Sequence, residues 1–93
     1  NHPEIVEAGL AADKILPADV RVVAPYGGDT AFLYQTNRSG WPVGGAIEDK
    51  ISLGATHYIS VNFDEETMEL TSRCQVALKT EKYVIIDLRK CIN

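Results

Sequence analysis

The stretch VRVVAPYGGDTAFLYQTNRSGWP, residues 20–42, decides how this chain folds. Its first five residues are mostly β-branched and apolar, which predicts a buried strand over residues 20–24 in which Arg21 needs an exit to solvent. Pro25 and the pair Gly27-Gly28 then break the strand. Asp29 or Thr30 can cap a helix over residues 30–37, Gly40 suits the left-handed position just past its end, and Pro42 forbids continuation. A strand that turns through glycines into a helix is the building unit of an α/β fold.

Reading outward, the flanks repeat the theme. Ile5, Ala8, Gly9, Ala12 and Leu16 recur at helical spacing and predict a helix over residues 2–16. Pro3 suits its first turn, Glu4 and Glu7 suit the positive end of its dipole, and Pro17 stops it. Beyond Gly44-Gly45, residues 46–53 form a short amphipathic helix ended by Gly54. HYISVNF, residues 57–63, alternates as a strand, and Asp64 can cap a helix over residues 65–73 with Met68, Leu70 and Thr71 on or near its inward face. Residues 75–78 and 83–88 are strands of a hairpin, and the second, YVIIDL, is the most apolar in the chain. The order α-β-α-α-β-α-β-β predicts one α/β domain over residues 1–93. The expected architecture is a small three-layer sandwich, with a mostly parallel sheet and a C-terminal antiparallel hairpin.

Charge narrows the function classes. Nine Lys and Arg are scattered among thirteen acids, giving a formal net charge of -4 and a pI near 5.0, so the basic stripe of a nucleic-acid binder is missing. No segment approaches the ~20 apolar residues that cross a bilayer. Because the chain starts at Asn1 and not at Met, it reads as a processed chain or as a segment of a longer protein, the second being favoured. Cys74 and Cys91 are compatible with a bridge or with two free thiols; a bridge would contribute on the order of 3 kcal/mol through loop closure. Without a CxxC or Cys/His cluster, neither a metal site nor a cofactor is expected.

Chemistry has few candidates. The turn Gly27-Gly28-Asp29-Thr30 lies where α/β sheets bind ligands, yet it matches neither GxGxxG nor a Walker loop, so a turn with a helix cap is the simpler reading. Asp29 finds no partner that spacing would bring to it from Glu48, Asp49 or His57, and His57 reads as a surface or sheet-end residue; no catalytic residue is assigned. Tyr34 and Arg38 share a helix face and Trp41 follows in the loop. Aromatic planes beside a guanidinium suit a sugar ring or a protein contact; the alternative has Phe32, Leu33 and Trp41 in the core with Tyr34 and Arg38 covering them. The candidate ligand-binding set is therefore Asp29, Thr30, Tyr34, Asn37, Arg38 and Trp41, with hydrogen-bonding groups also on Gln35 and Ser39. Asn37-Arg38-Ser39 matches a glycosylation acceptor by coincidence.

GGDTAFLYQTNRSGWP, followed by ISLGATHYISV, resembles the soluble C-terminal extracytoplasmic region of bacterial polytopic membrane glycosyltransferases. These are the enzymes similar to dolichyl-phosphate-mannose-protein mannosyltransferases and aminoarabinose transferases. The resemblance spans nearly the whole chain. It implies a membrane protein with many spans before Asn1, transferring a sugar from a polyprenyl-phosphate donor to a lipid, protein or glycan acceptor. It implies that this chain is the accessory, non-catalytic domain at the extracytoplasmic face, where it positions a glycan or lipid-linked acceptor or packs on the membrane domain of the same polypeptide. That location favours the Cys74–Cys91 bridge. The alternatives are a free-standing module binding a small anion or nucleotide at residues 27–30, and a protein-interaction domain.

Overall fold

The computed structural model describes residues 2–92. Along the chain run α1 (Pro3–Ile15), β1 (Arg21–Val23), α2 (Ala31–Gln35), β2 (Ser39–Trp41), α3 (Ile47–Ser52), β3 (Ala55–Ser60), α4 (Glu65–Arg73), β4 (Cys74–Lys79) and β5 (Val84–Cys91). The strands form one sheet in the order β2-β1-β3-β5-β4. β1 runs parallel to β2 and β3, whereas β5 runs antiparallel to both β3 and β4.

The sheet is therefore mixed, not mostly parallel, and this corrects the expectation from element order. The cause lies in β5. Val84, Ile85 and Ile86 are all fully buried, so this strand needs cover on both faces and cannot lie at an edge. It returns from the hairpin into the centre of the sheet, beside β3, and β4 is left at the rim. The alternating exposure of β4 fits that rim position.

Two apolar cores flank the sheet. Val22, Ile59 and Ile85 join Ile5, Ala8, Ala12 and Leu16 of the α1 segment and Phe32 of α2. Val23, Tyr58, Val84 and Ile86 join Ile47 of α3 and Leu70 of α4. Successive strand residues point to opposite faces, which is why Val22 and Val23 belong to different cores. On the first face α1 and α2 approach closely: a Cβ at Gly9 would lie 2.5 Å from Gln35 Cβ.

Several local expectations change. In α4, Asp64 Oδ1 accepts from Thr67 N at 3.0 Å and caps the helix, but the inward face carries Thr67 and Leu70, while Met68 is exposed. Ser39–Trp41 is a strand and not a loop, paired to β1. Cys74 and Cys91 face each other across β4 and β5 and are joined, with an S–S distance of 2.02 Å, tying the end of α4 to the end of β5.

The membrane-protein reading is also corrected for this chain: among the described residues, no helix is long and apolar enough to cross a membrane. The longest, α1, has 13 residues, and its buried stripe of Ile5, Ala8, Gly9 and Ala12 leaves Glu4, Glu7 and Lys14 on other faces.

Candidate functional site

The connection from α2 to β2 is organised by a buried arginine. Thr36 is fully buried; its hydroxyl donates to Leu33 O at 2.7 Å and accepts from Arg38 N at 3.2 Å. Asn37 takes the left-handed conformation, φ 55°, which turns the chain at once and sends Arg38 back under α1. There the Arg38 side chain is only 4% exposed. Its Nε donates to Pro17 O at 2.8 Å and its Nη2 donates to Leu16 O at 2.7 Å and Asp13 O at 3.2 Å. Its Nη1 donates to Asp13 Oδ1 at 2.5 Å, Asn37 O at 3.0 Å and Thr36 O at 3.2 Å. The last carbonyls of a helix lack intrahelical partners and carry the negative end of its dipole, so a guanidinium there satisfies both needs. The hydrogen bond from Arg38 holds the Asp13 carboxyl below its ordinary value of 3.8, against a smaller opposing effect of burial.

Arg38 thus serves as a positioning residue, with its N–H groups turned inward. What it positions is an open concavity of about 530 Å³ lined by Tyr34, Gln35, Asn37, Arg38 and Ser39. Tyr34 stands 81% exposed beside it. Ser39 also borders a second concavity, of about 300 Å³, whose other lining residues are Arg21, Gly40 and Trp41. Trp41 is half-buried and packs against the core shared by α3 and α4, so it is both a core residue and part of the wall. β2 can run so close to β1 only because residue 40 is glycine: φ is 155°, and a Cβ there would lie 1.8 Å from Val22 O.

No family model, curated protein or solved structure matches the chain.

Asp29 and Thr30 line neither concavity. Asp29 Oδ1 accepts from Ala31 N at 2.9 Å, closing the turn into α2, and Thr30 is exposed with no capping bond from its side chain. The ligand crevice expected beside the carboxyl ends of β1 and β3 is occupied by the β2–α3 loop. Glu66 accepts there from Gly45 N at 2.8 Å and from the Tyr58 hydroxyl at 2.7 Å, and Lys50 Nζ donates to the carbonyls of Val43, Gly44 and Gly45. A carboxylate in that position disfavours an anion at the β2–α3 loop.

His57 is buried, 3% exposed, and not a surface residue. Its Nδ1 lies 2.8 Å from Thr56 Oγ1, and its Nε2 lies 3.9 Å from Asp87 Oδ2. Burial, aided by Arg89 and opposed by Asp87, holds the His57 pKa below 6.5. Asp87 accepts two hydrogen bonds from the Arg89 guanidinium at 3.0 Å and a third from the Arg89 backbone amide at 2.9 Å. His57 lines neither concavity, and among the described residues no group of His, Cys, Asp and Glu could hold a metal ion.

The structure brings Tyr34, Asn37, Arg38 and Trp41 to one edge of the sheet and leaves Asp29 and Thr30 apart from them. It adds Arg21, which is absent from the candidate set legible in the sequence. The one signal was a charged residue inside a β-branched run, whose side chain had to leave the core somewhere.

Proposed function

We propose that this chain is a glycan-recognition accessory domain of an extracytoplasmic glycosyltransferase that uses a polyprenyl-phosphate sugar donor, and that it helps to hold the acceptor. The observation that carries the reading is the exposed Tyr34 ring in α2, next to a turn that Arg38 anchors. Arg38 anchors the α2–β2 turn to α1, and the exposed phenol ring of Tyr34, in the last turn of α2, lines one concavity with the Gln35 and Asn37 amides and the Ser39 hydroxyl. A sugar has an apolar face that lies on an aromatic ring and hydroxyls that bond to amides, and residues ordered before binding lose less entropy on contact. The donor chemistry and the catalytic partner come from the family resemblance. The Cys74–Cys91 disulfide fits the oxidising side of a membrane.

The test is retention of fluorescently labelled 93-residue chain on an array of immobilised neutral and acidic glycans. Tyr34→Ala should abolish retention of the glycans that the native chain binds, with an unchanged thermal midpoint because the side chain is mostly in solvent. Retention that survives Tyr34→Ala, or no retention of any glycan by the native chain, rejects the reading.

A further inference from the structure

The geometry points to a second subsite beside the first, formed by Arg21, Ser39 and Trp41, for a sugar that carries an anionic substituent. This inference rests on the glycan-recognition reading and names the ligand chemistry at its neighbouring concavity.

The placement follows from strand register. Arg21 pairs with Ser39, and Val23 pairs with Trp41. Val23 and Trp41 both contact the α3–α4 core, so Arg21 and Ser39, two residues earlier on each strand, project from that same face. Gly40, between Ser39 and Trp41, adds no side chain. The result is a concavity of about 300 Å³ with a guanidinium, a hydroxyl and an indole in its wall, room for a single sugar ring.

Arg21 differs from the other three arginines of the chain. Arg38, Arg73 and Arg89 each have a carboxylate partner within 4.0 Å: Asp13, Glu48 with Glu69, and Asp87. Among the described residues Arg21 pairs with none. Its Nη1 instead donates to Leu53 O at 3.0 Å. That bond holds the guanidinium plane at the concavity while the remaining N–H groups stay open to a ligand. The planar fork of arginine matches a carboxylate or phosphate, and Trp41 offers the flat apolar surface that a pyranose ring covers. The rest of the chain supplies no long-range attraction for anions, since its formal net charge is -4. Preference for an acidic sugar must therefore come from Arg21 itself.

Trp41 is the only tryptophan, so its emission reports directly on this concavity. The experiment titrates the native chain with glucuronate, glucose 6-phosphate and glucose, and with acetate and inorganic phosphate as anions without a ring. Glucuronate, glucose 6-phosphate or both should change Trp41 emission saturably, with dissociation constants about tenfold lower than that of glucose, the worth of one charge-assisted hydrogen bond. The comparison of the two acids tells carboxylate from phosphate. Arg21→Gln should erase the preference, and Arg21→Lys should keep part of it. Equal midpoints for acidic and neutral sugars in the native chain overturn the inference, as does a preference that survives Arg21→Gln. Acetate or phosphate acting as strongly as the sugars, or no response to any ligand, overturns it too. The native comparison needs no variant, so poor folding of a substituted chain cannot mask the answer. Neutral glycans retained on the array without any acidic preference at Trp41 would overturn this subsite and leave the Tyr34 surface standing; the converse result would reject the Tyr34 surface alone.

Discussion

Replacing Arg38 by Met keeps the length of the side chain and removes every donor that anchors the α2–β2 turn. In the folded chain the guanidinium serves five carbonyls and one carboxylate oxygen. Removing one partner of a buried charged pair costs about 3–5 kcal/mol, and hydrogen bonds to charged groups are worth about 1.5–3 kcal/mol each without adding linearly. The Asp13 side chain is 40% exposed, so water takes over its lost partner and the cost falls at the lower end, about 3 kcal/mol. A domain of this size has a total stability of roughly 5–14 kcal/mol. Arg38→Met should therefore still fold, with a thermal midpoint lower by about 15 °C. Urea unfolding followed by both Trp41 emission and far-UV circular dichroism measures the loss. Arg38→Lys, with three donors on a compact ammonium, should recover less than half of it. A loss for Arg38→Met below about 1 kcal/mol, at unchanged m-value, would show that water satisfies those carbonyls and that the anchor is not what holds the turn.

Two further perturbations probe the same frame. Gly40→Ala places a methyl group 1.8 Å from Val22 O at a φ of 155°, so β2 should detach from β1. The midpoint should drop sharply, and hydrogen exchange should accelerate at the Ala24 amide, which now donates to Trp41 O at 2.9 Å; unchanged protection there would contradict the close-approach argument. Acidification should destabilise the chain in two steps. His57 has a depressed folded pKa, so the unfolded state binds a proton first and stability falls as pH drops through 6.5 toward the folded value. Asp13 and Asp87 also have depressed folded pKa values, so their contributions are present above 3.8 and are lost as pH falls below it. Equilibrium unfolding between pH 8 and pH 5 should show the first step in the native chain and not in His57→Gln; identical profiles would reject the assignment.

Much of the framework was legible because it depends on short-range patterns. The stripe Ile5, Ala8, Gly9, Ala12, the stop at Pro17 and the cap at Asp64 are set within a few residues of each other, and helix periodicity and capping record them directly, whereas β3 is buried on both faces rather than alternating. Met68 is exposed although apolar, because α4 has few apolar residues and its inward face is instead marked by Thr67, a polar residue that bonds to Ser60 Oγ. β2, a three-residue strand centred on glycine, has almost no periodic signal and reads as a loop in the sequence.

The sequence by itself determined the four helices, the strands other than β2 and the small α/β plan with its C-terminal hairpin. Only the tertiary structure decided that β5 enters between β3 and β4, that Cys74 meets Cys91, and that Arg38 serves α1 while Arg21 faces solvent. A guanidinium reads the same in sequence whether it meets water or six backbone and carboxylate oxygens. The partners that set its role, Asp13, Leu16 and Pro17 for Arg38 and Leu53 for Arg21, lie more than twenty residues away along the chain, and packing alone brings them together.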